Sequence, residues 1–201
     1  MILVIDYGMG NLRSVSKALE HLGGKVVVSS SPDDIEKADK IVLPGVGAFG
    51  DAVKELRDRH LVEPLAAFIR NQKPFLGICL GLQLLFPASD ESAGAQGLGI
   101  YPGKVRAFQS PKIKIPHMGW NQVSIRPDHP LLQGIAEGSY FYFVHSYYGV
   151  PEDEKWVIGR CTYGQEEFAA ILGRGPTLAT QFHPEKSQAA GLQILKNFIA
   201  W

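Results

Sequence analysis

The chain has 201 residues, 45% of them apolar and 20% charged, with 20 Lys plus Arg balanced by 20 Asp plus Glu and a formal net charge of zero. That composition excludes intrinsic disorder and supplies a sizeable core. It also argues against nucleic acid as a partner, because phosphate binding favours a basic face and the densest basic cluster is only Lys112-Ile113-Lys114. No run of about 20 apolar residues is available to span a membrane, and Met1-Ile2-Leu3-Val4-Ile5-Asp6 lacks the pattern of a secretory signal. The two cysteines, Cys79 and Cys161, are too few for a disulfide scaffold. A cytoplasmic protein with reduced thiols is expected.

Ile2-Leu3-Val4-Ile5 is a continuous apolar run closed by Asp6 and Gly8-Met9-Gly10, the pattern of a strand buried on both faces of a parallel sheet. From Asn11 to Leu22, the side chains of Leu12, Val15, Ser16, Leu19 and Leu22 fall near one helical face, and Gly23-Gly24 stops the helix. Val26-Val27-Val28 reads as a second strand, and Ser31-Pro32-Asp33-Asp34 opens a short helix with proline in its first turn. Ile41-Val42-Leu43 is a third strand running into Pro44-Gly45-Val46-Gly47. Helical segments over 51–58 and 61–71 then lead to a fourth strand, Phe75-Leu76-Gly77-Ile78. The repeated strand–helix order predicts an α/β fold with a doubly wound, mostly parallel sheet.

Further along, 105–108, 122–125, 140–144, 155–162 and 168–172 are strand-like runs between Gly, Pro and Asp turns. Residues 178–182 read as one more buried strand and 187–201 as a closing helix. Antiparallel strands are therefore expected beside the parallel core. With no repeat, low-complexity tract or linker, residues 1–201 are expected to form one domain.

Gly77-Ile78-Cys79-Leu80-Gly81 follows an apolar strand and opens an apolar helical run, 80–86, that ends at Pro87. This is the spacing of a strand–turn–helix nucleophile elbow, with cysteine where hydrolases often carry serine. The glycines make room for the tight turn, and a helix N-terminus favours a thiolate. Taken alone, without the flanking glycines, Cys79 reads as a small buried residue at a strand end. His183-Pro184-Glu185 follows the last strand, beside the carboxyl edge of the sheet where α/β sites lie. In an extended segment residues two apart point the same way, so His183 is a candidate base and Glu185 its orienter. Candidate oxyanion donors are the Leu80 N–H and the Val46 or Gly47 peptide, the latter pair also readable as an ordinary glycine turn. Gln83 is one helical turn beyond Cys79, where an amide can recognise a polar substrate end or simply be solvated. Trp120 lies in a turn-like, non-periodic segment, either as an interface anchor or as a cap on the core. Tyr140, Tyr142 and Val144 share one face of a strand, with Phe141 and Phe143 on the other. Cys161 reads as a packing residue. The histidines show no metal-ligand spacing, so neither metal nor cofactor is expected.

Taken together, Pro44–Gly47, Gly77–Gln83 and His183-Pro184-Glu185 resemble the class I (triad) glutamine amidotransferase family over essentially the whole chain. The resemblance implies an enzyme that hydrolyses glutamine to glutamate and ammonia through a thioester. Cys79 would be the nucleophile, His183 the base and Glu185 the orienter, with Pro44–Gly47 as oxyanion strand and Gln83 on the substrate. Asp6-Tyr7-Gly8-Met9-Gly10-Asn11, Pro116-His117-Met118-Gly119-Trp120-Asn121 and Phe143-Val144-His145-Ser146-Tyr147 are similar to the branch that serves histidine biosynthesis. In that branch ammonia is channelled to a (β/α)8 cyclase in a heterodimer with lyase chemistry, giving imidazole glycerol phosphate and an aminoimidazole carboxamide ribotide. By the same resemblance His145, Ser146 and Tyr147 would line the glutamine site, and Asn11, Trp120, Tyr142 and Lys186 would lie toward the cyclase. Two other readings stay open on the residues: a glutaminase serving another synthase, such as that of pyridoxal phosphate, and a non-catalytic protein of this fold with a reactive cysteine.

Overall fold

Continuous apolar runs become the interior strands of a nine-stranded sheet. The computed structural model describes residues 1–111, 113–126 and 129–201; Lys112, first residue of the basic cluster, lies outside them. The strands are β1 (Ile2–Ile5), β2 (Val26–Ser29), β3 (Lys40–Gly45), β4 (Phe75–Cys79), β5 (Gly103–Ala107), β6 (His117–Ile125), β7 (Ser139–His145), β8 (Tyr147–Pro151), β9 (Val157–Tyr163), β10 (Glu166–Arg174) and β11 (Thr177–Thr180). The helices are α1 (Leu12–His21), α2 (Pro32–Lys37), α3 (Phe49–Asp58), α4 (Val62–Arg70), α5 (Leu80–Gln83) and α6 (Gln188–Ala200).

The large sheet runs β2-β1-β3-β4-β11-β10-β9-β6-β7. Its first five strands are parallel and its last four antiparallel, while β5 and β8 pair in a separate two-stranded sheet. The expected α/β architecture is therefore observed.

Why the parallel strands are apolar throughout follows from their two covered faces. Alternate residues Leu3, Ile5, Ile41, Leu43 and Phe75 pack with Leu56, Leu65 and Phe68 from α3 and α4. The residues between them, Ile2, Val4, Val42, Leu76 and Ile78, pack with Val15 and Leu19 of α1 and Ile194 and Phe198 of α6. Each such fully buried side chain is worth roughly 1.5–3 kcal/mol over exposure. Only the edge strand β2 escapes this rule, leaving Val27 and Val28 on the surface.

Four expectations change in detail. The helix after Cys79 is one turn, Leu80–Gln83, rather than a run to Phe86. Its end tightens through the Leu85 N–H on Leu82 O and the Phe86 N–H on Gln83 O, while the Leu84 and Leu85 carbonyls accept from Leu98, Ile100 and Tyr101 instead of continuing a helix. The turn-like stretch around Trp120 is the first half of β6, paired residue for residue with β7 from His117–His145 to Val123–Ser139. β8 is a strand where none is expected, paired in a ladder with β5. Finally, residues 184–186 are a 3-10 turn rather than extended chain. No helix among the described residues is long and apolar enough to cross a membrane.

Register is what places the site. Gly45 stands opposite Cys79, and Thr180 opposite Ile78. The carboxyl ends of β3, β4 and β11 thus finish side by side, and the chain leaving each of them meets the others at one edge.

Candidate active site

Cys79 is the last residue of β4 and the N-cap of α5, with φ 56° and ψ −107°. A non-glycine residue in that region is strained, and strain of this kind persists only where the surroundings enforce it. Here they do so through two glycines. A Cβ on Gly81 would collide with the Leu43 carbonyl oxygen, and one on Gly77 would lie 2.7 Å from Gly81 O. The chain can turn this sharply only with hydrogen at both positions, which points the thiol out of the sheet edge. Leu80, next in sequence, begins α5, so its N–H has no intrahelical acceptor and faces the same end of the helix.

The segment leaving β3 passes alongside. Gly47 sits at φ 101°, in the left-handed region, and Val46 is exposed at the opening. The following helix α3 has no cap from its own Ala48; Glu91 Oε2 instead accepts the Phe49 N–H at 2.8 Å and Ser92 Oγ accepts the Gly50 N–H at 3.0 Å. A distant loop thereby pins the far end of the Val46–Gly47 segment.

The segment leaving β11 supplies the remaining groups. His183 Nδ1 and Glu185 Oε1 are 2.9 Å apart, with side chains only 2% and 1% exposed. The turn is clamped to β7: the His183 N–H donates to Tyr142 O at 3.0 Å, Ser187 Oγ donates to His183 O at 2.6 Å and accepts the Tyr142 N–H at 3.0 Å. Pro184 starts the 3-10 turn, and the turn rather than extended geometry brings the carboxylate back onto the ring. Burial by itself depresses the imidazole, but the Cys79 sulfur and the Glu185 carboxylate outweigh it and raise His183 to about 10. His183 Nε2, buried, has no hydrogen-bond partner of its own.

These elements enclose a cavity of about 320 Å3 lined by Val46, Gly47, Cys79, Leu80, Gln83 and residues of the β7–β8 segment. His145, Ser146 and Tyr147 all lie on its wall, as expected, and Gln83 is buried rather than solvated, donating to Tyr147 O at 3.0 Å. Pro116 and Val144, quoted in the sequence only as parts of motifs, also line it, and Glu91 was not singled out by the sequence. A second omission matters more: Gln181 Nε2 lies 3.7 Å from Cys79 Sγ. Its signal was the spacing of two from His183 in an extended run, the same rule that picked out Glu185. Cys161 is remote and buried, its thiol pushed up to about 12 by burial, so it holds no thiolate at neutral pH. Among the described residues no group of three or more His, Cys, Asp or Glu is placed to hold a metal ion.

Four residues assigned to an outer face occupy one side of the molecule in part. Trp120 is 47% exposed and meets Tyr142 edge-on at 6.1 Å, and Lys186 Nζ lies 5.9 Å over the Tyr142 ring. Trp120 therefore does not cap the core. Tyr140 and Met118 extend the exposed face, whereas Phe141 and Phe143 on the reverse of β7 are fully buried. Asn11 caps α1, its Oδ1 accepting the Ser14 N–H at 3.3 Å.

A family model described as glutamine amidotransferase class-I matches residues 3–201. The chain is 54% identical over 201 residues to the imidazole glycerol phosphate synthase subunit HisH of Microcystis aeruginosa, covering 99% of this chain and 94% of that one. It is 50% identical over 203 residues to the protein of the same name from Geobacter sulfurreducens, covering 98% and 97%. Among solved structures, PurLQS from Thermotoga maritima shares the fold with a TM-score of 0.79 at 20% identity, covering 99% and 97%.

Proposed function

The chain belongs to the class-I glutamine amidotransferase family and acts as the glutaminase subunit in imidazole glycerol phosphate synthesis, within histidine biosynthesis; from that premise we propose that Cys79, His183 and Glu185 form its catalytic triad. The observation that carries this reading is the convergence of a strained cysteine elbow with a buried His–Glu pair at one strand edge. A raised His183 is protonated at neutral pH, the partner a thiolate needs.

The chemistry then runs in two halves. The Cys79 thiolate attacks the side-chain carbonyl carbon of glutamine, and the N–H groups of Leu80 and of Val46 or Gly47 hold the oxyanion. His183 gives its proton to the departing nitrogen, the C–N bond breaks, and ammonia leaves a thioester on Cys79. The neutral imidazole next takes a proton from water, whose oxygen attacks the thioester; glutamate departs and the thiolate–imidazolium pair returns. Glu185 holds the ring with Nδ1–H toward itself and Nε2 toward sulfur and substrate. Gln83, His145, Ser146 and Tyr147 surround the glutamine.

The chain works as a subunit with a partner and uses glutamine. We read that partner as a (β/α)8 cyclase in a heterodimer, docked over Asn11, Trp120, Tyr142 and Lys186 and receiving ammonia directly. An exposed Trp120 set edge-on to a partly buried Tyr142 with a lysine above it is the kind of anchor such an interface uses. Residues 1–201 form one glutaminase domain, supported by the shared sheet, and the cytoplasm is its place of work. Replacing Cys79 by alanine tests the triad: glutamine-dependent product formation by the complex should fall by at least ~10^4-fold, while ammonia-dependent formation persists. Glutamine-dependent turnover surviving in that variant would sink the proposal.

A further inference from the structure

Behind the cavity wall, a row of hydrogen bonds runs from the partly exposed Asn121 amide on β6 to the nucleophile, and each donor and acceptor in it can be assigned. The Tyr147 carbonyl oxygen can only accept. His145 Nδ1, 2.8 Å away, is therefore a donor, which in a neutral ring leaves Nε2 as an acceptor. His117 Nδ1, 2.9 Å from that nitrogen, must donate to it, so His117 Nε2 accepts from Asn121 Nδ2 at 3.2 Å. The Asn121 amide is itself fixed, with Nδ2 donating to Thr162 O at 2.9 Å and Oδ1 accepting the Gln122 N–H at 2.8 Å. On the far side, Gln83 Nε2 donates both to Tyr147 O at 3.0 Å and to Gln181 Oε1 at 3.3 Å, which turns Gln181 Nε2–H toward Cys79 Sγ at 3.7 Å.

The row needs both imidazoles neutral. Burial depresses His117 to about 4, and His145 to about 3, the latter helped by the nearby His117 and His183 and opposed by its bond to Tyr147 O. Both rings are boxed by aromatics, His117 stacked on Phe143 and Tyr163 at 4.7 and 4.1 Å and His145 against Phe108 and Phe168.

We propose that Asn121 and His117 are positioning residues for glutamine hydrolysis, acting through His145, Tyr147, Gln83 and Gln181 to keep an amide N–H, rather than an amide oxygen, on the Cys79 sulfur. An N–H toward sulfur gives its lone pairs a donor during attack, whereas the flipped Gln181 would set an amide oxygen against them. Reversing Asn121 or His117 passes along the row as far as His145, whose Nδ1 would then face the Tyr147 oxygen acceptor to acceptor, a costly contact in a buried site that displaces the carbonyl on which the orientation of Gln83 depends. The inference rests on Cys79 being the nucleophile.

Two variants and one spectrum test it. Asn121→Asp keeps the shape but cannot donate to His117, and His117→Phe keeps the stacking while deleting both nitrogens. In each folded variant, alkylation of Cys79 by iodoacetamide at neutral pH, located by peptide mapping, should slow by about tenfold, with a matching fall in kcat for glutamine by the complex. Nitrogen-15 spectra of the wild-type chain should show His117 and His145 both as the Nδ1–H tautomer. Alkylation and kcat within twofold of wild type in a folded variant, or an Nε2–H signal from either ring, overturns the proposal. If His117→Phe does not fold, the aspartate variant and the wild-type spectrum still decide it. Failure of the triad itself would look different, because wild-type Cys79 would then be no more reactive than Cys161.

Discussion

The two halves of the large sheet contribute to the site in different ways. The parallel half, β2-β1-β3-β4-β11, delivers the proposed reacting groups from strand ends: Cys79 at the end of β4, Val46 and Gly47 beyond β3, and His183 and Glu185 beyond β11. There, backbone geometry does the positioning, through register and a strained elbow. The antiparallel half, β10-β9-β6-β7, contributes a wall whose groups are set by side-chain hydrogen bonds and aromatic stacking. One half is fixed by covalent connectivity close to the chemistry, the other by packing at a distance from it. Damage to the first should therefore appear mainly in rate, and damage to the second in stability together with the smaller rate effect relayed from Asn121 and His117.

Glu185→Gln makes the largest difference on the first side. The amide oxygen can still accept Nδ1–H, but the charge that offsets burial of the imidazole is gone. Glutamine-dependent kcat should drop by roughly 10^2–10^4-fold per folded molecule, measured as glutamate release by the complex. Loss of folding with rate preserved per folded molecule would break the contrast.

On the second side, Phe143 is fully buried, stacked on His117 and edge-on to Phe168 and Phe182. Phe143→Ala should cost about 3–5 kcal/mol of unfolding free energy, read from urea titration.

A third contrast lies in pH. His183 is raised in the folded state, so its contribution to stability is complete below its unfolded pKa and fades as pH rises toward about 10. His117 and His145 are depressed, so they favour the folded state above their unfolded pKa and penalise it as pH falls toward about 4 and 3. Each ring that gains its proton only on unfolding adds a slope of up to about 1.4 kcal/mol per pH unit. Wild type should thus lose stability steadily on acidification below pH ~6.5, and His117→Phe should show a shallower acid limb in the same urea titrations. Parallel limbs would show that the wall is charged or wet.

The same division governs what the sequence discloses. Strands covered on both faces read as unbroken apolar runs, so β1, β3, β4 and β11 and the proposed reacting groups at their ends are legible from composition and glycine placement. β6 was not, for a physical reason: its first half points a histidine inward and Met118 and Trp120 outward, so hydropathy alternates in the wrong phase for a half-buried strand. β8 is similarly masked by Gly149 and Pro151 and joins β5 in a two-stranded sheet apart from the large one. Gln181 was read as strand interior because its neighbours Phe182 and Ala179 are core. What decides its role is the hydrogen-bond row from β6, a contact between residues more than a hundred positions apart in places, and no local pattern encodes it.

The smallest effect on the folded chain belongs to Trp120, and it sharpens the comparison within a single ladder. Trp120 pairs with Tyr142 on the open face of β6 and β7, while Phe143, one residue along, is sealed on the reverse. A half-exposed ring set edge-on to the partly buried Tyr142 contributes little to the chain's own core, so Trp120→Ala should change unfolding free energy by less than about 0.5 kcal/mol. As a proposed interface anchor, the same ring should weaken binding of the cyclase partner by about 2 kcal/mol or more, measured by calorimetric titration of one subunit into the other. A stability loss near that of Phe143→Ala would mean that Trp120 braces the sheet. Unchanged partner affinity with unchanged stability would move the docking face elsewhere, leaving the Trp120–Tyr142 pair without a role.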